Sequence, residues 1–296
     1  MLKDIEELFK RQLRVWPQLA MGVQGLARAA TRQLRIEWFE VFVRHIPHRI
    51  ASTTAAVDEA SINQRPCFLC SANLPPEEEG VAFNEDFTIY CNPYPIVDRH
   101  LTIAHRKHCS QRIANQFGNM LDLAAALPGY FVIYNGPECG ASAPDHMHFQ
   151  AGSRELFPIE KDTAEVTCVI VPNYCRNVFM CRERDRSAAI DLLDDAMNLL
   201  AEITSRSEPL VNIAVFHELG EWTAYLFPRG KHRPSVFYTG ELIVSPASID
   251  MCGLLVTPRA HDFETITAET IAAIFREVTL PAAQFHEVAH KLERRW

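Results

Sequence analysis

Asn135-Gly-Pro-Glu-Cys-Gly-Ala-Ser-Ala-Pro-Asp-His146-Met-His148-Phe-Gln150 is the stretch that decides how this chain reads. The segment before it, Tyr130-Phe-Val-Ile-Tyr134, is aromatic and β-branched and predicts a buried strand. Within the stretch, Met147 and Phe149 alternate with His146, His148 and Gln150. In a strand that alternation sends the polar side chains to one face and the apolar pair to the other. A strand, a glycine-containing loop and a second strand with aligned polar groups make a surface suited to holding a phosphate and attacking it.

The rest of the composition bounds that reading. The chain has 296 residues, of which 48% are hydrophobic and 22% charged. That is a globular balance with enough chain for one large or two ordinary domains. The net charge of -8 argues against general electrostatic binding to nucleic acid or to an anionic membrane. No apolar run approaches the roughly 20 residues of a membrane span, and Met1-Leu-Lys-Asp-Ile-Glu-Glu7 lacks a signal-peptide pattern. The nine cysteines are scattered without a framework, which favours reduced thiols and a cytoplasmic location.

Along the chain, Leu2, Ile5, Leu8, Phe9, Leu13 and Val15 recur at helical spacing, and Pro17 ends that run. A second helix is expected from about Met21 to Ile46, then a small, polar connector over residues 51–64. Phe87–Tyr90 and Leu101–Ala104 read as strands, Ser110 to Leu127 as a helix. In the second half, Val166–Val171, Leu210–Phe216, Trp222–Phe227 and Met251–Val256 read as strands. Arg186 to Arg206 reads as an amphipathic helix, and a terminal helix begins near Thr267. The shared order of elements hints at two similar halves.

His148 is the candidate nucleophile. An imidazole can attack phosphorus and carry a nucleotidyl group, splitting one displacement into two. Gly136 and Gly140 let backbone N–H groups turn inward around phosphate oxygens. Gln150 can donate to a phosphoryl oxygen as charge develops on it. Asn135-Gly-Pro-Glu-Cys-Gly140 followed by His146-Met-His148-Phe-Gln150 resembles the histidine-triad superfamily. Glutamine in the last place resembles its nucleotidyltransferase branch: galactose-1-phosphate uridylyltransferase, diadenosine tetraphosphate phosphorylase and the GDP-hexose phosphorylases. His148-Phe-Gln-Ala-Gly152, Phe157-Pro-Ile-Glu-Lys161 and Gly253-Leu-Leu-Val-Thr-Pro-Arg259 with Asp262-Phe263 look most like the last of these. Asn92-Pro-Tyr-Pro-Ile-Val-Asp-Arg-His100 is similar to the segment before the nucleotide-site strand across the superfamily. The resemblance spans about residues 65 to 275. It implies His148 as covalent nucleophile, with Gln150 and His146 completing the catalytic set. It also implies Asn135, Gly136, Gly140 and Ser142 around the phosphate, and Asn92 at the base and ribose. Asp145, between Pro144 and His146, makes the loop one residue longer than in the uridylyltransferases.

Cys67-Phe-Leu-Cys70 offers two thiolates that can bind one zinc from a tight turn. A structural site needs two more ligands. The resemblance to the uridylyltransferases supplies His108 and His146, with His105 a rival for His108. Such a zinc would stiffen the strand end beside the nucleophile. Arg229-Gly-Lys231-His-Arg233 is a basic loop, and Arg229 and Lys231 are candidate contacts to a phosphate or sugar phosphate. Glu77-Glu78-Glu79 reads as a solvated loop, and His45-Ile-Pro-His48 as a helix end. His286-Glu287-Val-Ala-His290 matches the H-E-x-x-H zinc-protease helix. Too little chain follows it for the usual downstream ligand.

The expectation is therefore an α+β protein of two packed histidine-triad-like halves with antiparallel sheets. An N-terminal helical extension takes residues 1–50, the catalytic half 51–164 and the second half 165–296. The implied activity is nucleotidyl transfer or phosphorolysis on a nucleoside diphosphate sugar or dinucleoside polyphosphate, through a nucleotidyl-histidine. Phosphate or a sugar 1-phosphate would be the acceptor, and a homodimer is left open. A histidine-triad hydrolase, a non-catalytic nucleotide-binding protein and, remotely, a zinc metalloprotease are the alternatives.

Overall fold

A computed structural model describes residues 1–154, 157–167 and 169–294. Its strands are β1 (Ala30–Ile36), β2 (Phe39–His45), β3 (Gly80–Ala82), β4 (Phe87–Cys91), β5 (Leu101–His105) and β6 (Tyr130–Asn135). They continue with β7 (His148–Ser153), β8 (Phe179–Glu183), β9 (Val211–Glu218), β10 (Glu221–Pro228) and β11 (Leu254–Thr257). An eight-stranded sheet runs in the order β3-β4-β5-β7-β6-β9-β10-β8. Every pairing in it is antiparallel. The two halves thus share one continuous sheet, joined where β6 meets β9. This is the α+β architecture of two packed halves that the sequence suggested.

Both faces of the joining strand are buried. Tyr130, Val132 and Tyr134 enter one core with Met147, Phe149 and Ala151. That core is completed by the helices Leu2–Val15, Phe117–Ala126, Arg186–Thr204 and Ala282–Leu292. Phe131 and Ile133 enter a second core with β2, β11 and the helix Ala268–Val278. Strand parity does the rest. With Phe149 committed to the helical side, His148 and Gln150 must point toward the β1-β2-β11 layer. The β5–β7 register then sets Thr102 beside Gln150 and Ala104 beside His148.

The expected helix from Met21 to Ile46 is corrected. The helix Pro17–Ala27 stops early, and β1 and β2 form a hairpin around Glu37, whose φ is +54°. Phe39, Val41 and Val43 are fully buried, a period of two rather than 3.6. The hairpin persists because β11 pairs parallel to β2, Leu254 opposite Phe42 and Thr257 opposite His45. The helix expected from Ser110 begins only at Phe117. Met251 lies in a helical turn before β11, and the terminal helix is two, Ala268–Val278 and Ala282–Leu292, parted by Pro281. Val166–Val171 is no named strand. Ile170 makes one bridge to Phe179, and β8 follows instead; Cys168 of that expectation lies outside the described residues. No helix among the described residues is long and apolar enough to cross a membrane.

Candidate functional site

A cavity of about 680 Å³ opens between the large sheet and the β1-β2-β11 layer. His148, Gln150, Asn135, Asn92, Gly140 and Ser142 all line it. His148 is buried, and its Nδ1 lies 2.8 Å from the carbonyl of His146. A carbonyl only accepts, so Nδ1 carries the proton and Nε2 keeps its lone pair. Burial pushes the His148 pKa down to about 4, which favours the neutral ring. The backbone around it is fixed by Gln111. The Gln111 side chain accepts from His148 N at 2.7 Å and donates to the carbonyls of His148 and Asn135.

Gln150 is oriented by a residue that sequence reasoning placed in a motif but gave no role. The backbone N–H of Ile96 donates to His100 Nδ1, so His100 Nε2 bears the proton and donates to Gln150 Oε1 at 2.9 Å. The Gln150 amide N–H groups are left for the cavity. His100 is buried, which depresses its pKa to about 3. Asn135 is set the same way. Its Oδ1 accepts from Asn212 Nδ2, Ser248 N and Ser248 Oγ, leaving its amide hydrogens without a partner among the described residues.

The loop between β6 and β7 passes under the second half. Gly140 has φ +97°, and a Cβ there would stand 2.6 Å from that of Ala247. Only glycine permits both the conformation and the approach. Backbone N–H groups of Gly140, Ala141 and Ser142 make no hydrogen bond to another described residue. Gly136 instead donates to Val211 and lies off the cavity lining. Asn92 lines the cavity but spends its side chain on a turn, accepting from Tyr94 N and donating to Thr102.

Arg229 and Lys231 are corrected: neither lines the cavity. Arg229 is buried and bonds to Asn212 and to the carbonyls of Val278, Pro246, Lys231 and His232. Through Asn212 it supports Asn135. Lys231 pairs with Glu277. The neighbouring His232 and Arg233 face the cavity instead, together with Arg49, Arg65, Asp250 and Glu78. None of these six was assigned to the site from sequence. Glu78 is not simply solvated, because burial raises its carboxyl to about 7. Phe157, Pro158 and Ile159 of the Phe157–Lys161 segment are buried and lie off the cavity lining; Leu156 before them lies outside the described residues.

Beside the cavity, Cys67, Cys70, His108 and His146 converge, their ligand atoms all within 4.8 Å of one another. Cys67 Sγ is 3.2 Å from His146 Nδ1, and Cys70 Sγ is 3.3 Å from His108 Nδ1. Ligands around one tetrahedral zinc, with bonds of about 2.1–2.3 Å, stand roughly 3.4–3.8 Å apart. The donor set fits. His146 Nε2 donates to the His105 carbonyl at 2.6 Å, which turns the Nδ1 lone pair toward the thiols. Asp145 Oδ2 lies 3.8 Å from His108 Nε2, so the extra loop residue braces this cluster. His105 is excluded as fourth member, its Nδ1 being held by Lys107. On the helix Ala282–Leu292, His286, Glu287 and His290 are exposed and form no such cluster.

A family model described as "Domain of unknown function (DUF4922)" matches residues 8–153, and one described as "GDPGP1-like, C-terminal domain" matches residues 154–294. No curated protein matches the chain in sequence. Among solved structures, the yeast Ap4A phosphorylase Apa2 in complex with AMP superposes with a TM-score of 0.62 at 15% identity, over 92% of this chain and 97% of that one. The same enzyme in complex with Ap4A gives 0.63 at 14% identity, over 92% and 98%. At these identities the likeness establishes the fold.

Proposed function

We propose that this chain, whose residues 154–294 match a GDPGP1-like C-terminal domain and whose fold is that of an Ap4A phosphorylase, is a nucleotidyltransferase of the histidine-triad type that transfers a nucleotidyl group through a covalent adduct on His148. The observation that carries this reading is the tautomer. His148 Nδ1–H is held by the His146 carbonyl, so an unprotonated Nε2 faces a cavity large enough for a nucleotide. Nε2 attacks the α-phosphorus, the N–P bond forms, and the P–O bond to the leaving group breaks with its electron pair on oxygen. The ring then carries positive charge, which the His146 carbonyl stabilises. Asn135, Gln150 and the loop N–H groups donate to the phosphoryl oxygens, where negative charge accumulates. In the second half-reaction an oxygen of inorganic phosphate or a sugar 1-phosphate attacks phosphorus, and the N–P bond breaks.

Nucleoside diphosphate sugars and dinucleoside polyphosphates are the substrate classes this suits. The neighbour with the same fold is named an Ap4A phosphorylase. Zinc on Cys67, Cys70, His108 and His146 would lock the strand end that presents His148. The test is intact mass after incubation with nucleotide sugars and diadenosine polyphosphates, with and without phosphate. Wild type should gain one nucleotidyl mass and His148→Ala none; equal labelling of the two would sink the mechanism. Turnover without phosphate would favour a hydrolase.

A further inference from the structure

His148 sits where the ladder between β6 and β7 breaks off. The paired residues run from Tyr130 opposite Ser153 to Ile133 opposite Gln150, and the same register continued would set Asn135 opposite His148. At that place the Gln111 side chain stands between the strands instead. Its Oε1 accepts from His148 N at 2.7 Å, and its Nε2 donates to the carbonyls of Asn135 at 2.9 Å and of His148 at 3.0 Å. A primary amide has one oxygen and two N–H donors, and all of them are engaged. The side chain thus replaces a peptide group. It is an inserted rung that satisfies both strands while holding them apart. Gln111 is buried and lies off the cavity lining.

The rung is itself held from two sides. Gln111 N donates to the Pro144 carbonyl at 3.1 Å, in the loop that leads to His146. On the helical side of the sheet, the Tyr134 hydroxyl stands 3.3 Å from the Gln111 carbonyl and donates to Glu208 Oε1 at 2.8 Å. The same Oε1 accepts from Ile113 N at 3.1 Å, two residues past Gln111. Burial and the Glu208 carboxylate raise the Tyr134 pKa well above its usual value, so the hydroxyl keeps the proton it donates. Glu208 is half-buried between the helix Arg186–Thr204 and β9, in the second half of the chain. One carboxylate on the helical side therefore ties Tyr134, on β6, to the segment that carries Gln111.

We propose that Glu208 is a positioning residue for the nucleophile, acting through Tyr134 and Ile113 on the Gln111 rung that holds both backbone groups of His148. This rests on the nucleotidyl-transfer reading. His148 Nε2 must meet phosphorus in line with the leaving oxygen, and a misplacement of about 1 Å can cost on the order of 100-fold in rate. The bond from His148 Nδ1 to the His146 carbonyl fixes the tautomer, and the rung fixes where the backbone stands. None of Glu208, Tyr134, Ile113 and Gln111 lines the cavity. A loss along this path therefore falls on the rate of transfer and spares the affinity for nucleotide.

Wild type, Glu208→Ala, Glu208→Gln and Gln111→Glu are compared by three measurements. These are the rate of His148 labelling by saturating diadenosine tetraphosphate or GDP-glucose, the affinity for AMP and GMP, and hydrogen exchange at the His148 amide by NMR. Glu208→Ala should label about tenfold more slowly, with nucleotide affinity within about twofold of wild type. Its His148 amide should exchange about tenfold faster. Glu208→Gln keeps the accepting oxygen and should restore both rate and exchange. Gln111→Glu sets a carboxylate against two carbonyls and should label more slowly still; if it fails to fold, the Glu208 pair decides. Wild-type rate and exchange in Glu208→Ala overturn the proposal. So does a glutamine at 208 that restores neither, or an affinity loss as large as the rate loss. If wild type gains no label from either probe, the transfer reading falls, and exchange at the His148 amide alone decides whether Glu208 holds the rung.

Discussion

His100 holds Gln150 by its carbonyl oxygen across 2.9 Å, and so decides which end of that amide faces the cavity. A glutamine in the cavity could otherwise present oxygen, which would repel a phosphoryl group. The direction is enforced one step back, by the Ile96 N–H that occupies His100 Nδ1.

Replacing His100 with leucine should therefore slow transfer while leaving nucleotide affinity nearly unchanged. Loss of a residue that orients a catalytic group typically costs about 10–100-fold. The measurement is the rate of His148 labelling against the dissociation constant of the nucleotide.

The same bond makes a pH prediction. His100 has its pKa lowered by burial to about 3, so it is neutral above that value and no charge change occurs between pH 5 and 8. Nitrogen-15 NMR should show one Nε2–H tautomer across that range. A titration near 6.5 would contradict the buried arrangement.

Cys67→Ala should remove the metal. Elemental analysis is expected to find about one zinc per wild-type chain and none in the variant. Labelling of His148 should fall as well, since His146 bonds both to the cysteine cluster and, through its carbonyl, to His148.

Arg229→Leu should destabilise by about 3 kcal/mol, because it strands the carbonyls and the Asn212 side chain that the guanidinium now satisfies. Denaturant titration measures this. His286→Ala and His290→Ala, on an exposed helix face, should stay within roughly 0.5 kcal/mol of wild type and label normally.

Local pattern carried the strand readings of β4, β5, β6, β7, β9 and β10, because alternation or a buried run is written within each. It carried the convergence of Cys67, Cys70, His108 and His146 only with the help of a family resemblance, since those residues come from distant segments. The hairpin of β1 and β2 was misread because its apolar residues also suit a helix, and the deciding partner, β11, lies some two hundred residues away. Arg49 and Asp250 were missed for the same reason. They reach the cavity from the turns beside that parallel pairing, and no local motif marks them. Arg229 drew attention as a basic residue in a basic loop, but charge alone does not tell a ligand contact from a buried strut.

The pairing of β2 with β11 also sets an order of events in time. A chain emerging from the ribosome completes β7, with His148, long before it completes Leu254–Thr257. Until then, the hairpin that leads to Arg49 lacks its third strand, and Asp250 and Ala247 are not yet in place. His148 is synthesised early, and the residues that close the cavity around it come last. A chain ending before Ala247 would thus carry His148, the proposed nucleophile, without the Ala247, Ile249, Asp250 and Val256 wall of its cavity.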